Sequence, residues 1–191
     1  MKPAGFVLAG GQSRRMGRDK ALLPYRGRAL VAHIAGIVQA ALGNSDPVAI
    51  LGEPEYYAGL GYPVHADLTP NCGPLGGLVT ALHLTDSDWN LVVACDMPML
   101  SPENLRVLID RAAESHAHAV AARGPAGEPE PLCALYHRRC LPALEQALRD
   151  KHLKMKTLLS ELQPESVTLP ASALANVNTP EEWLELQDQP R

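Results

Sequence analysis

Residues 8–20 read Leu8-Ala9-Gly10-Gly11-Gln12-Ser13-Arg14-Arg15-Met16-Gly17-Arg18-Asp19-Lys20. A short apolar run enters paired glycines, whose backbone amides can approach an anion with no Cβ in the way. Arg15 and Lys20 then add positive charge, one as a planar fork and the other as a mobile point charge. Amides from Ala9 to Gly11 with these two cations suit a polyphosphate. No Gly-Lys-Ser/Thr closes the loop, so it is not a Walker A motif, and the glycine spacing is not that of a GxGxxG dinucleotide loop. A glycine turn beside a basic surface helix is the plainer alternative.

A second centre is Asp96, which ends the apolar run Leu91 to Cys95. An ionised carboxylate there is costly without a partner. Mg²⁺ is a natural one, a hard cation that takes one or two carboxylates and completes its shell with phosphate oxygens. The structural alternative is a cap on the following turn. Asp67, in His65-Ala66-Asp67-Leu68-Thr69-Pro70, can be part of a plain turn. Asn176 and Asn178 share a side if their segment is extended; Asn178 could equally organise the start of the next helix with Thr179. His116 and His118 lack partners with metal-ligand spacing and read as surface residues. Cys95 reads as core, and no GxSxG elbow is present for a hydrolase.

The chain has 191 residues, 46% of them hydrophobic, and its Trp, Tyr and Phe total eight, so Ala, Val, Leu and Ile must build the core. This length suits one globular domain, 1–191. The apolar stretches are far shorter than the ~20 residues that span a bilayer. Met1-Lys2 with the run to Gly11 is too short for a secretion signal. Cys72, Cys95, Cys133 and Cys140 form no CxxC pair, which points to free thiols in a reducing cytoplasm. A net charge of −4 argues against a general nucleic-acid binder. Basic residues nevertheless cluster twice. Arg14, Arg15, Arg18, Lys20, Arg26 and Arg28 face only Asp19, and 138–156 holds six basic residues against Glu145 and Asp150. Two separate clusters in an acidic chain suggest two anionic ligand groups, unless they are ordinary solvated faces.

Short apolar runs alternate with helical patterns, which predicts stacked βα units in a three-layer α/β fold with a mostly parallel sheet. Strands are expected at Gly5–Ala9, Val48–Leu51, Pro63–Ala66, Leu91–Cys95 and Val167–Leu169. A hairpin-like pair at His118–Ala122 and Leu132–Tyr136 would add an antiparallel element in the second half. Helices are expected at Leu30–Leu42, stopped by Gly43-Asn44, and at Pro74–Leu84, Leu141–Leu148 and Met155–Leu162. Another opens at Ser101-Pro102, and Thr179 with Glu182 makes a capping box for the last. The tail beyond Gln187 is expected to fray.

The glycine string closely resembles the LAGGxSxRMGxDK signature of the molybdenum cofactor guanylyltransferases, within the nucleotidyltransferases of Rossmann-like fold. Further matches follow in order: Gly73-Pro74-Leu75-Gly76-Gly77, Cys95-Asp96-Met97-Pro98, Glu130 to Tyr136, and Asn176-Val177-Asn178-Thr179-Pro180-Glu181-Glu182. The resemblance spans almost the whole chain. It implies transfer of GMP from GTP to molybdenum-molybdopterin with release of pyrophosphate. It also implies a nucleotide-binding half, about 1–100, and an acceptor-binding half, about 101–187. Leu8, Ala9, Gly10, Gly11, Lys20, Asp67 and Asp96 would bind nucleotide, Arg15, Lys20 and Asp96 would act in catalysis, and Asp96 would hold Mg²⁺. Asn176, Asn178, Lys154 and Lys156 would bind the acceptor. Cofactor-insertion proteins or apoenzymes would receive the product.

In such a reaction the acceptor phosphate is already anionic, so no general base is needed; the barrier lies in aligning two anions and holding charge on the leaving pyrophosphate. One departure stands out: Ile50-Leu51-Gly52-Glu53 occupies a region where the family often has a nucleotide-contacting asparagine. Cytidylyltransferase relatives more often read LAAG, so Gly10 favours GTP. The alternatives are a CTP-dependent or sugar-phosphate enzyme on the same scaffold, or a nucleotide-binding delivery module.

Overall fold

A computed structural model describes residues 2–10, 19–43, 48–125 and 127–187. In chain order its strands are β1 (Ala4–Leu8), β2 (Pro24–Tyr25), β3 (Arg28–Ala29), β4 (Val48–Leu51), β5 (Val64–His65), β6 (Trp89–Ala94), β7 (Ala119–Arg123), β8 (Pro129–His137) and β9 (Glu165–Thr168). The helices are α1 (Leu30–Leu42), α2 (Pro54–Tyr57), α3 (Gly73–His83), α4 (Pro102–Glu114), α5 (Leu141–Arg149), α6 (Met155–Glu161) and α7 (Pro180–Gln187). Seven strands form one sheet in the order β5-β4-β1-β6-β8-β7-β9. Strand β8 runs antiparallel to both neighbours, and every other pairing is parallel. The expected α/β/α architecture with one antiparallel element is what forms.

Residue alternation along the strands builds two cores. Val7, Leu91, Val93, Val120 and Leu135 pack with Val31, Ile34 and Val38 of α1 and with Leu105 and Leu108 of α4. Phe6, Val92, Ala121, Ala134 and Tyr136 pack on the other face with Leu75, Leu78 and Leu82 of α3, Leu144 of α5 and Leu158 of α6. Period two along each strand supplies both helix layers from one sheet. Gly43 stops α1 at a φ of 100°, as its sequence position predicts. Ser101 caps α4 in a capping box that Asn104 completes, and Glu182 does the same for α7 with Thr179.

A third, small core gathers Leu23, Tyr25, Leu30, Val177, Trp183 and Leu186, with Met99 against it. Its organiser is the β2–β3 ribbon, which the sequence reading missed. Arg26 and Gly27 turn that ribbon with φ values of 49° and 81°, the left-handed pair a tight two-residue hairpin needs. Tyr25 at its edge meets Trp183 at 5.9 Å between ring centroids. Chain segments before α1, after β6 and before α7 are thereby packed together. Among the described residues, no helix is long and apolar enough to cross a membrane.

Candidate active site

The parallel strands β1, β4, β5 and β6 present their carboxyl ends along one edge. Hydrogen bonds continue the ladder past the strand ends: Ala9 N to Leu51 O at 2.8 Å, Gly52 N to His65 O at 2.9 Å and Cys95 N to Leu8 O at 3.2 Å. Open α/β sheets bind ligands at this edge. Leu8 and Ala9 are buried there and Gly10 is exposed, with nothing among the described residues within 4 Å of a notional Cβ. Gly11 and Arg15 lie outside the described residues.

Lys20 returns to the same edge. Its Nζ donates to Asp96 Oδ2 at 2.9 Å and to Asn178 Oδ1 at 3.0 Å. The two side chains of the ion pair are only 14% and 21% exposed, so water screens it less than a surface pair. Val177 N donates to the Asp96 carbonyl at 3.0 Å, which pins the last segment onto the loop after β6. The carboxylate of Glu182 accepts from the amides of Asn178 and Thr179, fixing the asparagine's backbone. Asn176 and Asn178 are both exposed, on either side of buried Val177. Three segments far apart in the chain therefore meet at one ammonium group.

Asp67 follows β5 and lies over α3. A Cβ on Gly76 would come within 3.3 Å of its Oδ2, and one on Gly77 within 3.5 Å of its Oδ1. Gly76 also faces the Thr69 carbonyl, and Gly77 faces Leu8, at 2.8 Å each, so both glycines permit a close approach. Burial, followed by the charge of Glu53, raises the Asp67 pKa above the usual carboxylate range. Among the described residues its carboxylate accepts no hydrogen bond.

Lys156 pairs with Glu128 at 3.5 Å, just before β8 begins. Because β8 is antiparallel to β6, that start lies at the same edge as Asp96. Lys154 is the residue before α6. No hydrogen bond or ion pair joins either lysine to Lys20, Asp96 or Asn178 among the described residues. The rest of that basic run is partly engaged in holding the fold: Arg138 binds Asp86 at 2.8 Å, and Arg139 donates to the carbonyls of His116 and Ala117. In the first cluster, Arg26 lies 5.2 Å from the Tyr25 ring centre and Arg28 packs on Gly36. Charge counted along the sequence thus overstates the charge facing a ligand.

The sequence reading also missed Tyr57, which donates to Asp19 Oδ2 at 2.7 Å. It is legible only after folding, since α2 is too short to carry a periodic pattern. Gly52, in the region where the family often has an asparagine, leaves no room for a side chain. A side chain there would collide with the Ala9 carbonyl and come within 2.6 Å of the Tyr57 ring. Cys95 is buried beside Asp96, and burial and that charge push its thiol up to about 12, so it is core rather than nucleophile.

Asp96 can be tested as a Mg²⁺ ligand on its donor set. Lys20 takes Oδ2, while Oδ1 has no partner among the described residues. Those residues contain no group of three or more His, Cys, Asp or Glu placed to hold a metal. One hard carboxylate suits an ion that arrives with phosphate oxygens completing its shell.

The carboxyl edge of this Rossmann-like sheet thus gathers the open backbone at Gly10, the Lys20–Asp96 pair and the Asp67 carboxylate. The model for the MobA-like NTP transferase domain matches residues 5–166. The chain belongs to that family. It is 36% identical to the molybdenum cofactor guanylyltransferase of Xanthomonas euvesicatoria pv. vesicatoria, covering 95% of this chain and 93% of the relative. It is 31% identical to the probable molybdenum cofactor guanylyltransferase of Flavobacterium johnsoniae, covering 95% and 94%. The solved structure of molybdopterin-guanine dinucleotide biosynthesis protein A from Archaeoglobus fulgidus shares the fold. Its TM-score is 0.76 at 22% identity, over 95% of both chains.

Proposed function

We propose that this chain transfers GMP from GTP to molybdenum-molybdopterin, releasing pyrophosphate and forming molybdopterin guanine dinucleotide. The observation that carries the reading is the convergence of Lys20, Asp96 and Asn178 at the carboxyl edge of the sheet. One group from the nucleotide loop, one from the end of β6 and one from the far C-terminal segment lie where a donor and an acceptor would meet. Residues 1–100 then serve the nucleotide and 101–187 the acceptor, with Lys20 bridging the two halves.

In this reading the triphosphate lies against the backbone of Ala9 to Gly11, with Arg15 and Lys20 countering its charge. Asp67 accepts from a nucleotide hydroxyl. Asp96 would hold Mg²⁺, which would supply charge neutralisation for the departing pyrophosphate. Lys20 exchanges its bond to Asp96 for one to phosphate. Asn176, Asn178, Lys154 and Lys156 hold the acceptor so that its phosphate lies in line with the bond that breaks. The four cysteines are unpaired, which fits work in a reducing cytoplasm. The product then passes to cofactor-insertion proteins or apoenzymes.

Pyrophosphate release from purified protein with Mg²⁺ and metal-loaded molybdopterin, comparing GTP with CTP, tests this. The expected result is turnover with GTP that falls more than a hundred-fold in Asp96→Ala, a barrier raised by about 3 kcal/mol. Preference for CTP would overturn the choice of base. Silence with both, given a verified acceptor, would favour a sugar-phosphate substrate or a binding module.

A further inference from the structure

Asp19, immediately before Lys20, has both carboxylate oxygens engaged. The amide of Ala21 donates to Oδ1 at 2.9 Å from within the same tight turn, and Tyr57 donates to Oδ2 at 2.7 Å from α2. The turn 20–22 sets where the lysine stem starts, so whatever fixes Asp19 fixes the root of Lys20.

The Tyr57 ring is itself held. It is 3% exposed, and it stands on Gly52, where the carboxyl ends of β1 and β4 are joined by the Ala9–Leu51 bond. Phenylalanine would fill the same space. The hydroxyl therefore adds nothing to packing and is costly to bury, a cost offset by its bond to Asp19. Burial, then the hydrogen bond and charge of Asp19, push the phenol pKa far above its ordinary value, so it remains a donor at every working pH.

We propose that Tyr57 is a positioning residue for Lys20, acting through the Asp19 carboxylate; this deepens, and rests on, the reading of Lys20 as a phosphate-binding group. Lys20 is a point charge on a flexible four-carbon stem, and its aim depends on how firmly its root is anchored. Misplacing such a group by an ångström can cost about a hundred-fold in rate. Loss of one of two anchors should cost less.

The test is Tyr57→Phe, assayed with GTP, Mg²⁺ and metal-loaded molybdopterin. The expected result is a kcat about ten-fold lower, a GTP KM within about three-fold of wild type and little change in Tm. In a Lys20→Ala background the same substitution should cost nothing further. A wild-type kcat in Tyr57→Phe, or an undiminished loss on top of Lys20→Ala, overturns the proposal.

A second readout needs no turnover. In protein labelled with ¹⁵N at the lysine side chains, the Lys20 ammonium resonance should shift or broaden in Tyr57→Phe while the other lysines hold. An unchanged Lys20 signal overturns the proposal even if wild-type protein is silent with GTP; that silence by itself would count only against the proposed reaction. If Tyr57→Phe does not fold, Asp19→Asn leaves the ring in place and is read in the same two ways.

Discussion

Lys20 and Asn178 are 158 positions apart in the chain, yet the lysine ammonium donates to the asparagine Oδ1 at 3.0 Å. The same ammonium holds Asp96, and Val177 is bonded to the Asp96 carbonyl. The C-terminal segment is thereby tied to Lys20 and to the loop after β6. In the proposed reaction Lys20 would turn to a phosphate, and Asn178 would give up this partner and offer its amide to the acceptor. Asn178→Ala should raise the acceptor KM about five- to ten-fold, the worth of one hydrogen bond of ~1 kcal/mol or slightly more. The GTP KM should stay within about three-fold. Steady-state pyrophosphate release, with each substrate varied in turn, separates the two.

Lys154→Ala with Lys156→Ala should weaken the acceptor and leave the fold alone. The Lys156–Glu128 pair has side chains 68% and 78% exposed, and such pairs contribute ~0–1 kcal/mol. Tm should therefore hold while the acceptor KM rises several-fold. An unchanged acceptor KM would remove this cluster from the site.

How much was legible in the sequence follows from the range of each interaction. Helix α1 could be read because its apolar face and terminal Gly43 are local facts, and the cap at Ser101 lies within a few residues of the helix it starts. The β2–β3 ribbon and α2 could not, since two- and four-residue elements carry no period. Lys20, Asp67, Asp96 and Asn178 could be singled out by type and setting. Their mutual geometry could not, because Lys20 meets partners 76 and 158 positions away. Tyr57 gave no signal at all until folding brought it to Asp19. Within the basic run 138–156, linear charge does not reveal that Arg139 faces two backbone carbonyls while Lys154 and Lys156 stand apart from them.

Stability should fall as the medium is acidified, and His33 is one cause. It is buried on α1 against the Tyr25 ring at 4.8 Å, near Arg26 and Arg28. Burial, opposed by a hydrogen bond to the Pro98 backbone and assisted by the two arginines, lowers its pKa below 6.5. The unfolded chain then binds the proton more readily than the folded one. Stability is full above the unfolded value and is lost as pH falls below it. His137 is shifted the same way, by burial and then Arg139. Denaturant unfolding at about pH 7.5 and about pH 5.5 should show the loss, and His33→Gln should narrow the difference between the two.

Tyr136 should matter to stability through a single hydroxyl. Pairing between β7 and β8 jumps from Ala121–Ala134 to Ala122–Glu130, a bulge that leaves the intervening residues of β8 off the ladder. Bulges beside active sites re-aim side chains, and this one lies where β8 starts, at the Asp96 edge. The Pro131 carbonyl inside it is satisfied by the hydroxyl of Tyr136, which donates at 2.8 Å from a ring that is 1% exposed. Tyr136→Phe keeps the ring and strands that carbonyl. An unpaired buried carbonyl costs about 1–3 kcal/mol. For a chain of this size each kcal/mol is worth about 2–4 °C in Tm, so a melt should drop by several degrees. Pyrophosphate release measured well below the new Tm should change much less, because Tyr136 is a core residue paired with Asn90 near the start of β6, and no hydrogen bond joins it to Lys20, Asp96 or Asn178 among the described residues. A drop under about one degree would mean that water reaches Pro131 in its place.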